Sequence, residues 1–278
     1  MEILRYAAFN ATFDGGNPAG VVLDATGASE STMLSMAAEI GYSETAFIVP
    51  AGKQELDIRY FSPLAEVPFC GHATIATAVA YADRHGVGRL DLRTKAGVVS
   101  VSTAVADDGT IVATLVSVPT RTEPIADDDL AELLHALRWS LGDLDAELPP
   151  RVAYAGAWHP VIAAADRERL ARLDYDMPAL RELMMRRDWA TVDLVWRECQ
   201  TVFHARNPFP PGGVVEDPAT GAAAAAFGGY LRELGLVSTP ADITIHQGHD
   251  MGRPSRIEVG IPAESGSGIS VTGSAVRL

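Results

Sequence analysis

Alternating hydrophobic and polar positions recur through the first 120 residues and predict a series of short β-strands. The runs are rich in β-branched residues and cover residues 20–25, 44–51, 55–63, 90–105 and 109–118. Such alternation places one set of side chains in a core and the other toward solvent. The first part of the chain is therefore expected to be mainly β-structure.

Two segments of this part have a helical pattern instead. The segment 29–42 begins with Ser29 and Glu30 and stops at Gly41, and the segment 73–86 stops at Gly86. Serine is a favoured helix N-cap, and glycine commonly follows the last turn of a helix. Both segments are predicted to be helices.

From Pro119 onward, helical segments separate the strands. The acidic cluster at 127–129 predicts a helix start, because carboxylates stabilise the positive end of the helix dipole. Residues 152–166 and 191–205 are predicted to be strands, and a helix is expected between them within 166–188.

A strand, a polar loop and a helix of small residues occur in this order twice. The first copy carries His72 in "CGH" and the second carries Asp217 in "EDPATG", about half a chain apart. Tight packing alone explains helices of small residues, but the paired polar entries indicate two related lobes. The predicted lobes are 1–120 and 121–278, with the last strand, about 266–278, returning to the first lobe.

Composition limits the kind of protein further. The chain has 278 residues, 47% hydrophobic and 21% charged, with a formal net charge of −14. An acidic surface argues against nucleic-acid and anionic-membrane partners, which need clustered Lys and Arg. The longest charge-free stretch near the helices, residues 67–82, is shorter than the roughly 20 residues of a membrane span. We expect a cytoplasmic protein.

The two cysteines, Cys70 and Cys199, form no disulfide framework and no zinc-binding CxxC pair, and Cys199 is expected within a strand. His246 and His249 have a short metal-ligand spacing, but no further ligand motif accompanies them. No metal site is expected.

The two helix entries suit an anionic ligand. The first N–H groups of a helix have no partners within the helix and carry partial positive charge, and glycine lets a ligand approach them closely. Gly71 and Gly221 are placed for this contact, with His72 and Asp217 beside them. Asp217 also suits the N-cap of the second helix.

Five motifs resemble those of the PhzF-like isomerases of phenazine biosynthesis, which are related in fold to diaminopimelate epimerase. They occupy residues 8–25, 41–50, 58–78, 213–225 and 246–255, nearly the whole chain. The resemblance implies an α+β fold of two pseudo-symmetric lobes. Each lobe is a β-barrel-like sheet around a central helix, and the active site lies between the lobes.

The resemblance also implies the chemistry. Glu44 of Ser-Glu-Thr matches the family's catalytic acid, which moves a proton between two carbons of a small carboxylate-bearing metabolite without a cofactor. His72 and Asp217 match its substrate-contacting residues. The other expected substrate contacts are Gly71, Gly221, Thr220, Ala222 and Asn17. A homodimeric isomerase is implied.

Two details qualify this assignment. Phenazine-pathway members can carry Ser where this chain has Ala222, so this chain lacks a hydroxyl contact that those members can make with the phenazine intermediate. Asn17 and Gly16 are expected in a turn at the edge of the cleft between the lobes. His159 is expected to face this cleft.

Other interpretations remain open from the sequence. Glu44 taken alone also fits an exposed residue at a strand start. Cys70 occupies the place of one of the two catalytic cysteines of the epimerase relatives, but "EDPATG" lacks the second. Cys70 then serves either as a reactive thiol at a helix entry or as a small buried residue. The alternative functions are therefore a thiol-dependent epimerase or racemase that uses Cys70, and a protein that binds a small ligand without catalysis.

Overall fold

The computed structural model describes residues 1–50 and 55–278, and the contacts within the chain divide them into two units. Unit 1 consists of residues 1–116 and 272–278, and unit 2 consists of residues 117–271. The predicted strand 44–51 ends in Ala51, which lies outside the described residues.

Unit 1 is built mainly from the strands that the alternating pattern predicts. Its strands are β1 Leu4–Ala8, β2 Asn17–Val22, β3 Thr45–Pro50, β4 Glu55–Phe61, β5 Glu66–Val67, β6 Arg89–Thr94, β7 Gly97–Val105 and β8 Ile111–Val116. Its helices are α1 Glu30–Ile40 and α2 Gly71–His85. Ser29 caps α1 by accepting a hydrogen bond from the Thr32 backbone N–H, and Gly41 ends it in the left-handed conformation, as predicted.

The strands of unit 1 close into a barrel. Antiparallel and parallel pairs join β1 to β2, β2 to β3, β3 to β4, β4 to β6, β6 to β7 and β7 to β8. The last strand, β17 Ser270–Arg277, pairs with both β1 and β8 and completes the ring. A closed sheet leaves no edge strand exposed.

Helix α2 occupies the interior of this barrel. It contacts β1, β2, β3, β7 and β8, and most of its residues are buried on all sides. The small side chains of "ATIATAVAYA" are what allow a helix to fit inside so small a ring, since interiors pack without voids. The run of small residues is therefore explained by the burial of α2 inside the barrel.

Unit 2 contains the remaining elements. Its strands are β9 Arg121–Pro124, β10 Arg151–Tyr154, β11 Trp158–Ala163, β12 Asp193–Arg197, β13 Val202–Phe209, β14 Val214–Asp217, β15 Ala241–Gln247 and β16 Ser255–Ile261. Its α-helices are α3 Asp127–Leu137, α4 Arg167–Ala171, α5 Met177–Arg187 and α6 Gly221–Glu233. The helix that the acidic cluster predicts begins at Asp127, as expected.

The two units repeat one order of elements. In unit 1, β2 runs parallel to β3 and β4 runs parallel to β6, with α2 between the latter two strands in sequence. In unit 2, β11 runs parallel to β12 and β13 runs parallel to β15, with α6 in the matching place. Helix α6 contacts β9, β10, β11 and β16. The α+β fold and the predicted internal repeat are confirmed.

Several predicted boundaries are wrong in the same way. The predicted strands 90–105, 152–166 and 191–205 are each two strands joined by a turn, and the helix expected within 166–188 is the pair α4 and α5. Alternation continues across a tight turn, so the pattern does not mark it. Gly97 and Gly156, both with positive φ, lie at two of these turns. Cys199 lies in the third, exposed, instead of in a strand.

No helix in the described part of the chain is both long enough and apolar enough to cross a lipid bilayer.

Candidate active site

Glu44 lies in the short connection between α1 and β3. The Gly20 N–H donates to the Glu44 carbonyl at 3.2 Å, and Gly20 pairs with Thr45 in the parallel β2–β3 register. A Cβ on Gly20 would lie 2.5 Å from Thr45 Oγ1 and 2.8 Å from its methyl carbon. The backbone of β2 therefore approaches the Ser-Glu-Thr segment more closely than any other residue type allows, and this approach fixes the backbone of Glu44.

Cys70 and His72 are held by the start of α2, which begins at Gly71, two residues earlier than predicted. Cys70 is the N-cap residue. Its carbonyl accepts hydrogen bonds from the Thr74 N–H at 3.0 Å and the Thr74 hydroxyl at 2.6 Å. Tyr60 is fully buried and shares a 2.7 Å hydrogen bond with the Thr74 hydroxyl. These bonds anchor the entry of the helix to β4.

The structure brings Glu44, Cys70 and His72 together. Glu44 Oε2 lies 3.4 Å from His72 Nε2 and 3.5 Å from Cys70 Sγ, and Cys70 Sγ lies 3.4 Å from His72 Nδ1. The cysteine and histidine are buried, whereas 17% of the Glu44 side chain is exposed. A carboxylate, a thiol and an imidazole in one cluster offer three groups that exchange protons.

Ser43 belongs to the same cluster and was not singled out from the sequence. Its hydroxyl lies 3.3 Å from His72 Nε2, so it shares the ring nitrogen that faces Glu44. Its position immediately before Glu44 in Ser-Glu-Thr is the one sequence feature that points to it. A hydroxyl at that position can orient a neighbouring imidazole.

Gly71 has open space beside it. A Cβ built at this first helical residue would meet no atom within 4 Å, and its backbone has no positive φ that requires glycine. Neither packing nor strain requires glycine at this position, and the space beside the start of α2 is open.

Gly71→Ala is expected to fold normally and to lower kcat/KM by roughly 10-fold or more, because the added methyl keeps an anionic substrate from charge-assisted hydrogen bonds. Steady-state kinetics and the melting temperature would measure the two effects. Gly88→Ala is the matched control, since its Cβ also meets no atom within 4 Å. Unchanged kinetics in Gly71→Ala would refute this role.

Asn17 is not in a turn, contrary to the prediction. It is the first residue of β2, fully buried, and pairs with Ala8 of β1. The turn is formed by Gly16, whose φ is +83° and whose Cβ would lie 2.7 Å from the Ala8 carbonyl oxygen. Burial of Asn17 follows because β2 begins immediately after this glycine.

In unit 2, Asp217 and Thr220 lie at the entry of α6. Thr220 Oγ1 donates to Asp217 Oδ2 at 2.7 Å. The prediction that Asp217 is the N-cap is wrong, because Asp217 is the last residue of β14 and Thr220 is the N-cap. Gly221 is the first residue of α6, as Gly71 is of α2, and Ala222 follows it.

Gln247 holds this entry in place and was missed by the sequence reasoning. Its buried side-chain oxygen accepts from the Thr220 N–H at 3.0 Å, and its amide nitrogen donates to the Asp217 carbonyl at 2.8 Å. Gly248 follows with φ +75°, and a Cβ there would lie 2.7 Å from the Pro218 carbonyl oxygen. The spacing of its histidines is the feature of "HQGHD" that suggests a ligand site, but its Gln-Gly pair is what positions "EDPATG".

A buried ion pair supports the same segment from β13. Arg206 Nε donates to Glu216 Oε2 at 2.9 Å, and a second contact joins Arg206 Nη2 to Glu216 Oε1. Both side chains are less than 10% exposed, and Arg206 also donates to the Ala171 carbonyl. The pair fixes the strand residue immediately before Asp217.

A second buried polar chain in unit 2 contains an unusual carboxyl. His159 Nδ1 lies 2.9 Å from Thr191 Oγ1, Thr191 donates to Asn207 at 2.7 Å, and Asn207 donates to Asp193 at 3.0 Å. Burial raises the pKa of Asp193 to about 7, and burial lowers the pKa of His159 to about 4. His159 is thus a buried residue of β11, neutral near pH 7.

Asp193→Asn is expected to gain stability relative to the unmodified protein as pH rises from about 4 to about 7. In this window the Asp193 carboxyl is protonated in the folded protein and ionised in the unfolded one, so the free energy of unfolding falls with pH by up to about 1.4 kcal/mol per pH unit. His159 acts in the opposite direction but is present in both proteins, so the difference isolates Asp193. Urea titrations across this pH range would measure it, and parallel curves would contradict it.

Comparison with known proteins identifies the family of this chain. The family model described as "Phenazine biosynthesis-like protein", PhzC-PhzF, matches residues 6–278. The chain belongs to the PhzC-PhzF family. The resemblance seen in the motifs is therefore confirmed.

The relatives of this PhzF-family protein are isomerases by name. The isomerase YfhB of Bacillus subtilis is 31% identical over 99% of this chain and 96% of its own length. The trans-2,3-dihydro-3-hydroxyanthranilate isomerase of Pseudomonas chlororaphis is 32% identical over 86% of this chain and 83% of its own length. The crystal structure of a PhzF-family phenazine biosynthesis protein of Bacillus anthracis superimposes with a TM-score of 0.90, at 25% identity, over 100% of this chain and 98% of that one. The chain is a PhzF-family isomerase.

Proposed function

We propose that this isomerase moves a proton between two carbons of a small carboxylate-bearing metabolite, with Glu44 as general acid and base. In the first half-reaction, the Glu44 carboxylate takes a proton from a substrate carbon, and the electron pair of that C–H bond delocalises into the adjacent unsaturated system. In the second, the carboxyl returns the proton to another carbon. Atoms and charge balance without a further reactant.

The cluster of Glu44, His72 and Cys70 is the observation that carries this proposal. The Glu44 side chain, 17% exposed, is more accessible than His72 and Cys70, and it lies 3.4 Å from His72 Nε2. His72 stabilises the carboxylate when it donates from Nε2, and Ser43 stands beside the same nitrogen. A general base must be accessible to its substrate and oriented by a neighbour, and the exposed fraction of Glu44 and its contact with His72 support this role.

The substrate class follows from the helix entries and the relatives' names. We propose that Gly71, at the start of α2, binds the substrate carboxylate through backbone N–H groups. In unit 2, the proposed substrate contacts are Asp217, Thr220, Gly221 and Ala222. Trans-2,3-dihydro-3-hydroxyanthranilate is the first compound to test, because relatives carry its name. Ala222 supplies no hydroxyl, so related unsaturated amino or hydroxy acids belong in the same screen.

Turnover in D₂O tests the proposal. Each candidate acid is incubated with the protein, and NMR follows both isomerisation and deuterium incorporation. The expected product carries deuterium at its new C–H position. The extent of labelling depends on how far the proton held by Glu44 exchanges with D₂O before it is returned to the substrate. Binding of an acid without turnover or exchange would instead support the ligand-binding alternative.

A thiol-dependent epimerase is the second candidate, favoured by the contacts of Cys70 Sγ with Glu44 and His72. Cys70→Ser separates the two, because a serine hydroxyl is a far weaker base than a thiolate. If Glu44 carries the proton, kcat should stay within about 10-fold, since the S–H group of Cys70 is a weak hydrogen-bond donor and the serine hydroxyl can replace it. A loss of 10³-fold or more, at the upper end of what one acid–base group supplies, would favour the thiol mechanism.

A further inference from the structure

We propose that Glu44, Cys70 and His72 together bind one Zn²⁺ ion, which blocks the site. This is a metal site that the sequence did not lead us to expect. Binding of the ion itself is independent of the proposed function, whereas its inhibitory consequence rests on Glu44 being the proton carrier.

The donor atoms are of the right kind for this metal. Zinc binds thiolate, imidazole nitrogen and carboxylate oxygen, and sites with three protein ligands leave a fourth position for water or another ligand. Within the described residues, these three are the group whose thiol, imidazole and carboxylate atoms lie within 4.8 Å of one another. They come from two rigidly held segments, the β2-anchored Ser-Glu-Thr connection and the start of α2.

The distances between the donor atoms match the edges of a zinc tetrahedron. Bonds of about 2.3 Å to sulfur and about 2.0 Å to nitrogen or oxygen separate the ligand atoms by about 3.5 Å for pairs with sulfur and about 3.3 Å for nitrogen with oxygen. Cys70 Sγ lies 3.5 Å from Glu44 Oε2 and 3.8 Å from His72 Nε2. His72 Nε2 lies 3.4 Å from Glu44 Oε2. Each edge agrees within a few tenths of an ångström.

The charges also balance. A thiolate and a carboxylate neutralise Zn²⁺, so the assembled site carries no net charge against the positive end of the α2 dipole. Because Cys70 Sγ lies near both ring nitrogens, 3.4 Å from Nδ1 and 3.8 Å from Nε2, the His72 ring turns when its Nε2 lone pair binds a zinc ion held by that sulfur. Burial of Cys70 and His72 limits competition by water.

Bound zinc would remove the proton acceptor. With Oε2 of Glu44 coordinated, the carboxylate cannot take a proton from substrate, and the imidazole that orients it is occupied as well. The expected consequence is inhibition that a chelator reverses.

Binding is tested without substrate, on the full-length chain free of any histidine tag. Because the protein has only two cysteines, Cys199→Ser leaves Cys70 as the sole thiol. Co²⁺ replaces Zn²⁺ as a spectroscopic probe. One equivalent bound to Cys199→Ser should produce a thiolate-to-Co²⁺ charge-transfer absorption, and Zn²⁺ should displace it. This readout remains valid even if a Cys70 variant fails to fold.

Variants then assign the other ligands. Cys70→Ser and Glu44→Gln are each expected to weaken Zn²⁺ binding by about 10-fold or more. Replacing a residue that merely hydrogen-bonds to a metal ligand already lowers metal affinity by that much. Cys199→Ser should bind Zn²⁺ as tightly as the unmodified chain. Calorimetric titration with Zn²⁺ measures this, and circular dichroism confirms that each variant is folded.

Two results would overturn the proposal. One is Co²⁺ bound without a thiolate absorption, which would place the metal elsewhere, such as at the rings of His204, His246 and His249, whose centroids lie 5.2–6.3 Å apart. The other is Zn²⁺ affinity that Cys70→Ser and Glu44→Gln leave unchanged. If zinc binds as expected but Glu44→Gln retains turnover, the proposed function fails while the metal site stands.

Discussion

Glu44→Gln is expected to lower kcat by about 10²- to 10⁴-fold, the range that a single general acid or base supplies. Glutamine keeps the shape of the side chain and can still contact His72 and Cys70, but it cannot accept a proton. Substrate-dependent deuterium exchange should disappear with turnover. Since the side chain is partly exposed and its backbone is fixed by Gly20, the fold and the melting temperature should change little.

Glu39→Gln is the matched control for this experiment. Glu39 is an exposed residue of α1, in the same unit and only five positions earlier. It should show normal kinetics, so a loss confined to Glu44→Gln identifies the proton carrier and not a general effect of removing one negative charge. Normal deuterium exchange in Glu44→Gln would exclude the single-base mechanism.

Arg206→Leu is expected to destabilise the protein by about 3–5 kcal/mol, because it leaves the Glu216 carboxylate buried without its partner. The Glu216 side chain is less than 10% exposed, and both of its carboxylate oxygens contact Arg206. Loss of the pair should also loosen β14 and the Asp217 position that follows it. Urea unfolding at neutral pH measures the stability, and protease cleavage near Asp217 measures the local effect.

Two further variants make this prediction specific. Arg256→Leu removes an arginine from an exposed ion pair with Glu258 and should cost about 1 kcal/mol or less. The double variant Arg206→Leu, Glu216→Leu removes both buried charges and should recover much of the stability that the single variant loses. A single variant as stable as Arg256→Leu would mean that Glu216 finds another partner or water.

The sequence by itself determined the family, the α+β class and the internal repeat. These features can be recognised in the sequence because each motif is local. A strand, a polar loop and a small-residue helix follow one another along the chain. Helix ends at Ser29 and Gly41 were predictable for the same reason, since capping depends on residues within one turn. The turns inside 90–105, 152–166 and 191–205 were missed because alternation continues through them.

Only the tertiary structure decided which chemical groups meet. Glu44 and Cys70 are 26 positions apart in the sequence, yet β2–β3 pairing and the placement of α2 inside the barrel bring their side chains to 3.5 Å. Gln247 reaches Thr220 across 27 positions in the same way. Such contacts depend on strand register and on how closely backbones approach, as at Gly20 and Gly248. A motif names the residue types of a site, but distances between donor atoms follow from packing that no local pattern records.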